Sequence, residues 1–104
     1  MLNPQRGETG VLIGGEMRRM RLTLGALAAL EARLDAQGLV ALAERFETGG
    51  FGAADLVAVI TAGLNGGGWA VSEAEVAEME FDGGAIEAAA AVTRLLAASF
   101  RGIG

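Results

Sequence analysis

Apolar residues recur along this chain with two different periods, and the change between them divides it. From Glu8 to Leu22 the pattern is strand-like. Val11-Leu12-Ile13 is a short β-prone run, Gly14-Gly15 offers the positive φ angles of a tight turn, and Met17 to Leu22 supplies a return strand. Because side chains alternate along a strand, Met20 and Leu22 share one face and Arg19 and Arg21 the other. A two-stranded hairpin is marginal alone, so its apolar face is expected to pack on helices.

From Leu24 onward the spacing is three and four. Leu24, Leu27, Leu30 and Leu34 mark one face of a helix over 24–37, with Thr23 as N-cap and Gly38 as stop. Leu39, Leu42, Ala43 and Phe46 form the stripe of a second helix that turns Glu44, Arg45 and Glu47 to solvent and closes at Thr48-Gly49-Gly50. A third, over 53–64, buries Leu56, Val57, Ile60 and Leu64 and sets Asp55 near its positive end. Asn65-Gly66-Gly67-Gly68 reads as a break. Ser72-Glu73-Ala74-Glu75 spells a capping box for a short helix ending near Glu80, with Val76 and Met79 as its apolar contacts. After Gly83-Gly84 the last helix, 85–100, presents Ile86, Ala89, Thr93, Leu96 and Phe100, flanked by Val92 and Leu95, with Glu87, Arg94 and Arg101 on the opposite ridge. The pattern predicts an α+β, mostly α fold: an N-terminal β-hairpin packed on a bundle of about four to five short helices. It is expected to be one domain over 1–104, with a flexible lead-in at 1–7, the hairpin at 8–23, the helical body at 24–100 and a tail at 101–104.

Composition narrows the chemistry. Cysteine, histidine, lysine and tyrosine are absent and all eight basic residues are arginine. Disulfides, thiolate metal sites and the usual Ser-His or Cys-His nucleophiles are therefore excluded, and a reducing cytoplasm is the expected compartment. No apolar run reaches the roughly 20 residues of a membrane span, and MLNPQRGETG lacks the apolar core of a signal peptide. Net charge is −5, which argues against general nucleic-acid binding. That charge is uneven: residues 1–23 hold four Arg against two Glu, the remainder four Arg against eleven acids, giving +2 and −7.

Candidate chemistry is sparse. Glu31 with Asp35, and Glu75 with Glu78, share helix faces as acid–base pairs would, but solvated helix acids are the commoner reading. Gly66-Gly67-Gly68 lacks the spacing and lysine of phosphate loops. Glu73, Glu75, Glu78, Glu80 and Asp82 lack a calcium-loop pattern and read as a solvated face or a docking surface for a basic partner. Candidate partner-binding residues are Arg18, Arg19 and Arg21, the one basic cluster, together with Phe51, Trp69, Glu75, Glu78 and Phe100. The arginines could meet the acidic 73–82 surface of a second copy, so a homo-oligomer is expected to weaken at high salt. No catalytic, cofactor-binding or metal residue is expected, nor an enzyme.

Several stretches together resemble the small tail protein of the gene transfer agent family, phage-like particles encoded in bacterial chromosomes. They are Asn3-Pro4-Gln5-Arg6-Gly7-Glu8, the Gly14-Gly15 hairpin, Arg21 to Glu31, Leu39 to Phe46, Phe51 to Leu64, Gly66-Gly67-Gly68 and the alanine-rich end Leu95 to Phe100. The turn Gly14-Gly15-Glu16 departs from the pattern, in which an acidic residue precedes glycine. The resemblance implies a non-enzymatic role in tail morphogenesis, in the bacterial cytoplasm where such particles assemble. Its leading reading is a tail assembly chaperone that holds the tape measure protein soluble. A structural, tube-associated tail subunit is the first alternative and a small protein-interaction module the second. Expected partners are the tape measure protein and other tail proteins, with neither nucleic acid nor membrane.

Overall fold

Gly14 and Gly15, at φ of 59° and 82°, turn the chain as a two-residue hairpin loop requires, and Glu8–Ile13 (β1) runs antiparallel to Glu16–Arg21 (β2). This is a computed structural model, and it describes residues 7–103. The remaining described residues form five helices: α1 (Leu24–Leu34), α2 (Gly38–Glu47), α3 (Ala53–Gly66), α4 (Glu73–Ala77) and α5 (Gly84–Ile103). The expected α+β, mostly α architecture is what the chain adopts. Of the expected 1–7 lead-in only Gly7 is described, as a buried turn residue, and α5 continues to Ile103 through most of the expected 101–104 tail; the side chains of Leu39, Arg101 and Ile103 and residue 104 lie outside the described residues. The return strand starts one residue earlier than its apolar pattern suggests, because a two-residue turn leaves Glu16 opposite Ile13.

Both outer edges of this two-stranded sheet are covered. On the β1 side the Gly14 N–H donates to the Glu80 carbonyl (3.0 Å), the Asp82 N–H donates to the Leu12 carbonyl (3.1 Å), and the Arg94 guanidinium donates to the Gly10 carbonyl (3.2 Å). On the β2 side the carbonyls of Arg19 and Arg21 lie against the end of α3, where Gly66 and Gly67 have no side chain to hold them off. A Cβ on Gly66 would stand 1.9 Å from the Arg21 oxygen, and one on Gly67 2.2 Å from the Arg19 oxygen. The third glycine does different work. Gly68 takes φ of 104°, its N–H donates to the Asn65 carbonyl (3.1 Å), and the Trp69 N–H donates to the Leu64 carbonyl (2.9 Å), the paired bonds of a Schellman cap. What reads as a loop in the sequence is therefore the last turn of α3 and its cap.

The core lies where the inner hairpin face meets α3 and α5, with α1 and α2 closing its sides. Met20, Leu42, Ile60, Leu64, Leu95 and Leu96 are its largest fully buried side chains. Thr23 caps α1 as expected, accepting from the Ala26 N–H (3.0 Å). The helix ends at Leu34, short of Gln37, because Asp35 takes the left-handed conformation (φ 52°) that aspartate tolerates better than most residues. The Glu31 carboxylate then accepts from the Gly38 N–H (2.5 Å), which starts α2 instead of stopping α1.

Two expected stripes are displaced. At about 100° per residue, Leu27, Leu30 and Leu34 fall within roughly 60° of one another and Leu24 about 90° away from their centre. Leu24 is accordingly 79% exposed. In α5 the buried face is Ala88, Ala91, Val92, Leu95, Ala98 and Ser99, with Leu96 at its margin. Ile86 lies about 160° round the helix from Ala88 and is 86% exposed, and Phe100 is 54% exposed. The buried side is the one with small residues, which let β1 and α3 approach closely.

Arg45 departs from its expected solvent position. Its guanidinium donates to the carbonyls of Leu34 and Gly50 (3.0 Å for Gly50) and reaches the Asp55 carboxylate at 3.4 Å. One side chain thereby ties the end of α1 to both ends of the α2–α3 connection. Asp55 also accepts from the Gly52 N–H (3.0 Å), capping α3. At the opposite end, α3 runs two residues past Leu64 before its glycine cap. The α4 capping box forms as written, Ser72 and Glu75 bonding reciprocally at 3.1 and 2.9 Å, but the helix stops at Ala77 instead of Glu80, since residues 80–82 are drawn onto the β1 edge.

Candidate interaction surfaces

The hairpin arginines are anchored within the chain instead of being free. Arg18 shares the inner face of β2 with Met20, so its guanidinium lies over the Trp69 ring, 4.3 Å from the centroid, and pairs with Glu16 at 3.1 Å. Its Nε has no hydrogen-bond partner among the described residues, consistent with a cation held by an aromatic face. Arg19, on the outer face, donates twice to the Gly67 carbonyl (3.2 and 3.0 Å). Arg18, Arg19 and Trp69 thus form one cluster that fastens the hairpin to the end of α3. Arg21 is exposed and makes no ion pair among the described residues.

The other candidates are scattered. Phe51 stacks on Phe46, with ring centroids 4.9 Å apart, and closes the core beside the α2–α3 connection. Glu75 serves the α4 capping box, and Glu78 is exposed at the end of that helix. The acidic segment is partly consumed internally: Glu73 makes a two-pronged pair with Arg33 (2.5 and 2.9 Å), and Asp82 accepts from the Gly15 N–H (3.2 Å). The hydrogen bond from Arg33, helped by its charge and opposed by partial desolvation, holds the Glu73 carboxyl below its ordinary value of 4.5. The same hydrogen bond raises Arg33 above its ordinary value. Glu31 and Asp35, considered as an acid–base pair, are occupied in ending α1 and starting α2. Among the described residues no three Asp or Glu side chains converge as a metal site would require, and no helix is long and apolar enough to cross a membrane.

Of the eight candidates, Phe100 opens onto a cleft. It lines a furrow of about 450 Å³ between α2 and α5 together with Val40, Ala43, Glu44, Glu47, Leu96 and Ala97. A smaller cleft lined by Ala43, Glu47, Thr93, Leu96 and Ala97 continues it. The sequence reading missed Val40, 55% exposed, because Leu39, Leu42, Ala43 and Phe46 already read as the apolar stripe of this helix. The signal lay in the spacing from Val40 to Ala43, Glu44 and Glu47. A separate cleft of about 400 Å³ lies between α1 and α3, lined largely by alanines and including the Arg33–Glu73 pair.

These features define a small α+β protein whose hairpin is locked to a helical body and whose clefts lie between helices. No curated protein and no solved structure matches the chain. Residues 6–102 match the family described as phage tail tube protein, GTA-gp10, and the chain belongs to that family. The gene transfer agent resemblance seen in the sequence is therefore correct, and this is a tail protein.

Proposed function

We propose that the chain is a non-enzymatic, tube-associated structural subunit of a gene transfer agent tail, contacting other tail proteins and copies of itself during assembly in the bacterial cytoplasm. The observation that carries this reading is the family match across 6–102, whose description names the tail tube. It displaces the chaperone from first place among the alternatives.

A second reading, the chaperone of the tape measure protein, is favoured by one feature of the fold. Among the described residues the sheet has two strands and both outer edges are covered, so strand addition at an edge is closed while helix faces remain open, as suits a helical client. Quantitative mass spectrometry of purified particles separates the two. A fixed ratio to the other tail components supports the subunit. Absence from particles, with co-purification of the tape measure protein from assembling cells, supports the chaperone, and absence from both would sink each reading.

A further inference from the structure

Helix α5 is apolar on two sides, and only one of them is buried. Its outward stripe, Thr93, Leu96, Ala97 and Phe100, keeps i, i+3, i+4, i+7 spacing, and α2 faces it with Val40, Ala43, Glu44 and Glu47 at the same spacing. The two stripes form the walls of a single furrow. Leu96 is its floor, nearly fully buried, while Val40 and Phe100 stand half-exposed on its sides. Each stripe is about 10 Å long, two turns of helix. Ile86, on the same side of α5, extends the apolar surface toward the start of that helix. Two facing helices with small residues between taller walls offer a third helix the seat it takes in helix-in-groove recognition.

Charge selects the occupant. Glu44 and Glu47 rim the furrow on the α2 side, and among the described residues neither makes a side-chain hydrogen bond or ion pair and no basic side chain lines it. Self-docking of this furrow on its own copy would bring four like charges together. We propose that the α2–α5 furrow receives an amphipathic helix of another tail protein, one whose apolar stripe is flanked by arginine or lysine along the edge that meets Glu44 and Glu47, an assignment that rests on the tail-protein reading above.

The test uses the full chain and two labelled helical peptides that share a leucine–alanine stripe, one flanked by lysine and one by glutamate. Fluorescence anisotropy should show the lysine peptide binding the wild type and weakening with salt. In E44R/E47R it should weaken by at least about tenfold while the glutamate peptide gains affinity. F100A and V40D should weaken whichever peptide binds, with thermal melts unchanged because both side chains are half-exposed. Equal binding of the two peptides, indifference to the charge reversal, or a wild-type dimer that F100A dissolves would overturn the assignment. The mass-spectrometric test of the tail role is independent: a chain absent from tails could still bind the lysine peptide, and a true tail subunit could fail to.

Discussion

Alanine at Gly66 sets helix propensity against steric fit, and the structure says which prevails. Gly66 is the last residue of α3, with ordinary helical backbone, so local propensity alone favours Gly66→Ala by up to about 1 kcal/mol. The new Cβ, however, would stand 1.9 Å from the Arg21 carbonyl oxygen and 3.0 Å from its carbon. Real Cβ contacts rarely fall below 3.0 Å, so β2 must retreat by about 1 Å from α3. The obstacle is backbone, which cannot rotate away as a side-chain tip could, and β2 carries Met20, which is fully buried. Overpacking of this kind costs about 3 kcal/mol, the upper part of the usual range. Net destabilisation is about 2 kcal/mol, which for a domain of this size lowers Tm by roughly 8–16 °C. Gly25→Ala is the matched control: it too sits in a helix, but its Cβ would meet nothing within 4 Å, so that variant should melt at or above the wild-type temperature. Urea and thermal unfolding followed by circular dichroism measure both. A Gly66→Ala protein as stable as Gly25→Ala would refute the close approach of β2 to α3.

Three further outcomes are expected. Leu27→Asp places an unpaired carboxylate in the buried core and should abolish cooperative folding, so a soluble variant with a sharp thermal transition would count against that placement. Thr23→Ala removes the α1 cap and should cost about 1 kcal/mol, read as a lower urea midpoint at constant slope. Because the folded Glu73 carboxyl titrates below 4.5, its pairing with Arg33 stabilises the fold fully above that ordinary value and ceases to do so as pH falls through the depressed one. The stability difference between wild type and Glu73→Gln should therefore be present at pH 7 and vanish in acid. A difference that grows as pH falls would reverse the sign of the linkage.

What could be read from the sequence was what depends on near neighbours. The Gly14-Gly15 turn, the Thr23 cap and the Ser72–Glu75 box are each decided within four residues, and each forms as written. The phase of α5 was not so decided. Hydrophobic periodicity weights Ile86, Leu96 and Phe100 above alanine, yet the core side of this helix is chosen by how near β1 and α3 must come, which favours Ala88, Ala91 and Ala98. Asp35 illustrates the same limit, since its left-handed turn is fixed jointly with the Glu31 carboxylate and the Gly38 N–H. Arg45 read as solvated because its three partners come from separate segments that meet only in the fold. Among the candidate binding residues, Arg18 and Trp69 were each singled out, but nothing local announced that they would satisfy one another.

That mutual satisfaction changes the electrostatic picture of assembly. The uneven charge of the chain suggested that a basic hairpin on one copy could meet the acidic 73–82 segment of the next. In the fold, Arg18 is engaged by Glu16 and Trp69, Arg19 by the Gly67 carbonyl, and Glu73 by Arg33, so each would have to give up a formed contact before meeting a neighbour. Arg21 is the one hairpin arginine among the described residues without such a bond. A single exposed cation contributes little to association at physiological salt. The carboxylates at Glu44 and Glu47 have no competing internal partner among the described residues and border an apolar furrow, so they are available to an incoming chain. Among the described residues this chain offers only Arg21 as an exposed, unengaged hairpin cation to meet them. The electrostatics of this furrow thus favour a basic helix as its occupant, whereas self-association through the hairpin would first have to break the contacts of Arg18, Arg19 and Glu73.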